Sequence, residues 1–173
     1  MDTFPPVSIG NQSLFISLVR AVISQQLSES ASEAIFSRLK SVAEITPEAL
    51  MVLDVDFFRK CGISRRKAES LHVISRAVHA GELDNISNYP YDNMLEKLLS
   101  LKGVGPWTAQ MVLIFALGRE DIWPHNDAGL LRASKKLYNA ATVADFIALG
   151  ERFAPYRSHA AWYLWCSLDS KMK

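Results

Sequence analysis

Cysteine is scarce in this chain, with two residues in 173. Cys61 and Cys166 lie far apart in apolar surroundings and form no Cys-x-x-Cys pair. They read as buried reduced thiols rather than a disulfide framework or a metal site. An iron–sulfur cluster needs four clustered cysteines, so that cofactor is excluded. Long apolar runs are missing as well, which leaves no candidate transmembrane helix. Residues 1–13 lack the basic start and small-residue cleavage site of a signal peptide. The expectation is a soluble intracellular protein with no membrane partner. An excess of one charge is also lacking. Nineteen basic and eighteen acidic residues give a net charge of +1, so composition alone does not announce a nucleic-acid binder. Basic residues do cluster locally, at Arg59 to Lys67 and at Arg132 to Lys136, and such runs usually mark solvated helix ends.

Strand-like alternation is almost absent, and helical periodicity fills the space. Leu14, Phe15, Leu18, Val19, Val22 and Ile23 form one apolar stripe. Ser28 is placed to cap a second helix with Ala31, Ala34, Ile35 and Leu39 on its core side. Thr46-Pro47 is a helix start, with proline at the first helical position. Ser64 caps a helix that Gly81 ends. Pro106 opens another, with Ala109, Val112, Leu113 and Ala116 inside and Gly118 as its stop. Asp127 opens the next, Thr142 caps a further one, and Ser158 is expected to cap the last, Ala161 to Leu168. The pattern predicts one all-α unit of roughly eight to ten helices joined by short loops. No linker, repeat or low-complexity tract divides residues 1–173.

Two segments carry chemistry. Leu101-Lys102-Gly103-Val104-Gly105-Pro106-Trp107-Thr108-Ala109 places two glycines between helical patterns. Glycine permits positive φ and close backbone approach, and Pro106 costs no useful donor at a first turn. The N–H groups around Gly103, Gly105 and Thr108 then face outward at a helix N-terminus, where an anion such as a DNA phosphate is favoured. A plain helix–turn–helix connection accounts equally for a bare Gly-x-Gly. The second segment is Trp123-Pro124-His125-Asn126-Asp127, a lone carboxylate at a helix start. Asp127 is by type a good N-cap, and a helix start also favours an anion.

Taken together, these segments resemble the helix-hairpin-helix Gly/Pro-Asp signature of the base-excision DNA glycosylase superfamily. Ile23-Ser24-Gln25-Gln26-Leu27-Ser28, Gly62-Ile63-Ser64-Arg65-Arg66-Lys67-Ala68 and Pro155 to Trp165 are similar to its 3-methyladenine DNA glycosylase II branch. The resemblance runs from about Leu14 to Leu168 with the motifs in family order. It implies a two-lobed helical fold around a cleft, without the N-terminal β domain of larger bacterial relatives. It also implies a monomer that acts on double-stranded DNA containing damaged bases, in the cytoplasm or nucleoid, or in the nucleus of a eukaryote.

The resemblance implies roles residue by residue. Asp127 matches the catalytic aspartate, which stabilises positive charge on the sugar as the base leaves and orients or deprotonates the attacking water. Bifunctional relatives carry a lysine just after the hairpin as an amine nucleophile; this chain has Trp107, which forms no Schiff base. Lys102 is near but sits inside the hairpin, facing solvent or phosphate. A monofunctional enzyme that leaves an abasic site without strand cleavage is therefore expected. Trp107 and Trp165 match pocket aromatics, suited by cation–π contact to a positively charged alkylated base. Met111 and Ala128 fall at pocket positions where some relatives have rings, which leaves the substrate range open. Trp123 and Trp162 read as core.

The Gln25-Gln26-Leu27 corner matches the family's duplex wedge, with Gln26 the best positional match; a polar interhelical turn with Leu27 in the core is the other reading of that corner. Asn126 departs from the acidic residue of many relatives, and His125 receives no role. No catalytic metal is expected. Family hairpins often hold a monovalent cation on backbone carbonyls, here around Leu99, Leu101 and Gly103. The rival functions are a catalytically idle DNA-binding hairpin module and a glycosylase for deaminated or oxidised bases.

Overall fold

The computed structural model describes residues 6–168. Within them are ten α-helices, one short 3₁₀-helix and no strand. The helices are α1 (Leu14–Ser24), α2 (Glu29–Val42), α3 (Pro47–Val52), α4 (Val55–Lys60) and α5 (Arg65–His79). After the 3₁₀ turn at Ile86–Asn88 follow α6 (Tyr91–Leu99), α7 (Pro106–Phe115), α8 (Ala128–Tyr138), α9 (Val143–Glu151) and α10 (Arg157–Cys166). The chain divides into two compact units, and the division falls within α7. One unit is residues 12–112; the other takes the described residues before 12 and after 112.

In the first unit α5 is the hub, packing on α1, α3 and α4. Its apolar side, Ala68, Leu71 and Ile74, is wholly buried. Each large side chain so placed contributes about 1.5–3 kcal/mol of burial free energy. The α1 stripe behaves as its spacing demands, with Leu18, Val19, Val22 and Ile23 at or below 1% exposure. Ser13, Ser28, Thr46, Asp54 and Ser64 each accept a backbone N–H three residues on and so start α1 to α5. Helix α2 is rotated from the expected phase: Ala34 is exposed and Phe36 is buried beside Ile35 and Leu39. The larger ring wins the inward position because it removes more apolar area from water.

The second unit is built on Trp123, Leu130, Ala133, Phe146, Ala161 and Leu164. Trp123 stacks at a tilt on Phe146 and Phe153 and donates its indole N–H to the Phe146 carbonyl at 3.1 Å. Gly150 lies against that indole, where any Cβ would come within 2.6 Å of Cδ1. Trp123 is therefore core. Trp162, the other tryptophan expected there, is half-buried, with the Phe115 ring edge-on at 6.1 Å.

Ser158 does not cap α10. Its hydroxyl donates to the Arg119 carbonyl at 2.6 Å and accepts the Ile122 N–H at 3.0 Å. The start of α10 is satisfied instead from the 119–122 loop, since Ser158 N–H donates to the Glu120 carbonyl and Arg157 N–H to the Asp121 carboxylate. The Arg157 guanidinium closes on Asp121 at 2.7 and 2.8 Å and reaches Glu151 at 2.9 Å. The guanidinium holds the Asp121 carboxyl below the usual carboxylate range.

Candidate active site

The glycine hairpin links α6 to α7. Gly103 has φ +92°, and a Cβ there would collide with Ser70 Oγ and Cβ on α5. Only glycine fits. Gly105 makes no use of the positive φ that glycine permits, and a Cβ on it would meet open space. Nothing among the described residues requires glycine at 105. The turn closes with Val104 N–H on the Leu101 carbonyl at 3.0 Å and Ala109 N–H on the Gly105 carbonyl at 2.9 Å. Lys102 and Gly103 are exposed, while Thr108 is buried.

Gln25, the first residue of the wedge corner, joins this hairpin instead. Its side-chain Nε2 donates to the Gly103 carbonyl at 2.9 Å and to Thr108 Oγ1 at 3.0 Å. Lys67 Nζ in turn donates to the Ile23 and Gln25 carbonyls at 2.7 and 2.8 Å, a cation at the end of α1. Burial, and then the nearby Arg66, lower the Lys67 pKa from its ordinary value. The sequence signals for Lys67 were its place in the Gly62-to-Ala68 motif and in the basic run from Arg59.

The corner that follows carries Gln26 at φ +60° and Leu27 at 41% exposure. Both side chains face solvent, so the reading of Leu27 as core is wrong: the turn directs it away from α1 and α2. Of the three carbonyls suggested for a cation, Leu101 and Gly103 already accept N–H donors. A carbonyl oxygen has two lone pairs, so each of these two can take one further contact.

Asp127 is the N-cap of α8 and is 9% exposed. Its loop is anchored on both sides by the core residues Trp123 and Leu130, and its own N–H closes a turn on the Pro124 carbonyl at 3.1 Å. One carboxylate oxygen, Oδ1, accepts the Leu130 N–H at 2.6 Å and the Trp165 indole N–H at 3.0 Å. The second donor was not foreseen. Trp165, expected as a stacking surface, is also a hydrogen-bond partner of the carboxylate. Its ring lies 5.9 Å from that of Phe115 at the end of α7. Gly129 completes the surround, since a Cβ there would lie 3.2 Å from Asp127 Oδ1 and 3.6 Å from Trp165 Cδ1. Two donors on one oxygen fix the plane of the carboxylate, which is what a preorganised electrostatic group requires.

The remaining expected site residues are distributed plainly. Trp107, the second residue of α7, is half-buried. Met111 is buried, and Ala128 is exposed at the first turn of α8. His125 and Asn126 are exposed. Among the described residues no group of three metal-ligating side chains assembles, and no helix is long and apolar enough to cross a membrane. Cys61 and Cys166 are both buried.

These features define a helix-hairpin-helix protein with one rigidly oriented carboxylate. Residues 19–148 match the model of the HhH-GPD superfamily base excision DNA repair proteins. The chain belongs to this superfamily. It is 36% identical over 174 residues to the DNA-3-methyladenine glycosylase 1 of Schizosaccharomyces pombe, spanning 93% of this chain and 75% of that protein. A solved structure of the 3-methyladenine DNA glycosylase of S. pombe, in complex with abasic DNA, superposes with a TM-score of 0.85 at 35% identity. It covers 94% of this chain and 84% of the other. A DNA-3-methyladenine glycosidase structure from Bacillus halodurans matches with a TM-score of 0.74 at 34% identity, over 93% and 78% of the two chains.

Proposed function

We propose that this protein is a monofunctional DNA glycosylase of base excision repair. It removes alkylated purines of the 3-methyladenine type from double-stranded DNA and leaves an abasic site. The observation that carries the reading is the Asp127 carboxylate, held at the start of α8 by Leu130 N–H and Trp165 Nε1–H. The relatives named above supply the substrate class.

The chemistry needs little else. An N-alkylated purine is already cationic, so the bond from C1′ to the ring nitrogen breaks with its electron pair going to the base, which departs neutral. Positive charge appears on the sugar, where Asp127 stabilises it electrostatically. A water oxygen bonds to C1′, and its proton passes to the carboxylate and then to solvent. Trp107, Trp165, Met111 and Ala128 are assigned to the pocket. The indole face of Trp107 attracts the cationic base by about 0.5–2 kcal/mol. With tryptophan where a lysine nucleophile would stand, no Schiff base forms and the strand is left intact.

The backbone N–H groups at Gly103, Gly105 and Thr108, with Lys102, hold phosphates and read no sequence. A monovalent cation on the Leu99, Leu101 and Gly103 carbonyls would add positive charge at the same turn. Gln26 and Leu27 fill the space of the extruded nucleotide. The protein acts as an intracellular monomer.

The test is incubation with alkylated duplex DNA, followed by measurement of free base and then alkali treatment. Base release with nicks that depend on alkali supports the proposal. DNA binding without base release makes the protein a catalytically idle DNA-binding module. Nicks formed without alkali overturn the argument from Trp107.

A further inference from the structure

Gln26 holds a left-handed backbone without being glycine, at φ +60°. Such a conformation is uncommon outside glycine and persists only where its surroundings over-determine it. Here the residues flanking it are clamped from three directions. Lys67 Nζ on α5 holds the Ile23 and Gln25 carbonyls at 2.7 and 2.8 Å. Leu27 N–H returns to the Ser24 carbonyl at 3.0 Å. The Gln25 amide reaches across 78 and 83 residues of sequence to the Gly103 carbonyl and Thr108 Oγ1. The two exposed corner side chains therefore share a strut with the phosphate-binding turn. Gly103 is itself wedged against Ser70 of α5, the same helix that carries Lys67. Hairpin and corner are thus fixed to one helix and to each other.

We infer that Gln25 is a positioning residue that couples hairpin engagement of the DNA backbone to insertion of the Gln26–Leu27 corner. The inference rests on the glycosylase reading above. Gln25 touches neither base nor sugar. Its amide sets the distance between the turn that grips phosphate and the corner that enters the stack, so that holding one places the other. The Gly103 carbonyl can only accept, so the amide must donate there, while the Thr108 hydroxyl takes the second amide N–H.

The prediction is a loss of discrimination rather than of binding. Duplexes carrying a tetrahydrofuran abasic analogue, and the same duplexes undamaged, are titrated with wild type, Gln25→Glu, Gln25→Ala, Thr108→Val and the Gln25→Ala/Thr108→Val double variant. Gln25→Glu removes both amide N–H donors and sets a carboxylate oxygen against the Gly103 carbonyl, while the Thr108 hydroxyl can turn to donate to it. Gln25→Ala, which adds no charge at the phosphate-binding turn, is expected to keep affinity for undamaged duplex within about twofold, since phosphates supply that term. Preference for the abasic duplex should fall about tenfold in both variants, the scale of losing these hydrogen bonds. Thr108→Val keeps the shape and backbone N–H but removes one acceptor, and should lose part of the preference. The double variant should be no worse than Gln25→Ala, because the two groups act as one unit.

An abasic preference retained in Gln25→Glu overturns the inference. So does an equal fall in both affinities of Gln25→Ala together with a lower Tm, which marks a merely structural contact, and so do additive losses in the double variant. A wild-type protein that shows the abasic preference but releases no base defeats the glycosylase reading and leaves the coupling standing.

Discussion

The indole N–H of Trp165 lies 3.0 Å from Asp127 Oδ1 and shares that oxygen with the Leu130 N–H. Trp165 comes from α10 and Asp127 from the start of α8, two helices that pack together. The tryptophan thus has a hydrogen-bonding task as well as an aromatic face. Trp165→Phe separates the two. It keeps a ring and removes the donor, so single-turnover base release should fall roughly 10- to 100-fold, the worth of one hydrogen bond to a charged group. DNA affinity should stay close to wild type. Unchanged release in this variant rejects the assignment.

Gly129→Ala should separate stability from activity. Position 129 is helical, and alanine there is favoured over glycine by about 1 kcal/mol. Its Cβ would lie 3.2 Å from Asp127 Oδ1, tight enough to push the carboxylate by a few tenths of an ångström. Tm should hold or rise while single-turnover release falls several-fold, as expected for a misplaced preorganised group. Loss of both together contradicts this reading.

The two hairpin glycines should respond differently to alanine. Gly103→Ala meets both a left-handed φ and the Ser70 side chain, so it should lower stability by about 1–3 kcal/mol. Gly105→Ala meets neither, so Tm should barely move while affinity for duplex DNA drops. Thermal melts and titrations on the two variants check the contrast. Equal destabilisation by both rejects it.

Acid should loosen the start of α10. Arg157 holds the Asp121 carboxyl below its ordinary value of 3.8, so the folded form binds its proton less readily than the unfolded form. The stabilisation is therefore fully present above that value and is lost as pH falls through the lowered folded value. Asp121→Asn should have a lower Tm than wild type at pH 6, and the gap should close as pH falls toward 3. A gap that widens on acidification has the wrong sign for this ion pair. Asp121 is 37% exposed, which keeps the effect modest.

Local signals carried most of what the sequence revealed. Ser28, Thr46, Ser64, Asp127 and Thr142 cap helices where their residue types predict, because an N-cap bond spans only three residues. The Asp127 position was legible for the same reason, as a cap and as a motif. Ser158 misled because its hydroxyl is taken by Arg119 and Ile122, 39 and 36 residues away. The Gln25 and Lys67 contacts have no periodicity to betray them. Both side chains are polar, sit at helix ends and find partners only once α1, α5 and the hairpin have folded together. Gly105 shows the converse. The motif marked it as glycine, but only the structure separates it from Gly103, which the fold itself demands.

The central claim is that Asp127 performs the chemistry of base release. Its most direct test is single-turnover release of 3-methyladenine from alkylated duplex DNA by Asp127→Asn beside wild type, with affinity for an abasic duplex measured on the same preparations. Asparagine can still accept the Leu130 and Trp165 N–H groups through its side-chain oxygen, so the fold and DNA binding should persist. Release should fall by about a thousandfold or more, the scale of removing a charged transition-state stabiliser. Wild-type release by Asp127→Asn, with binding intact, contradicts the account.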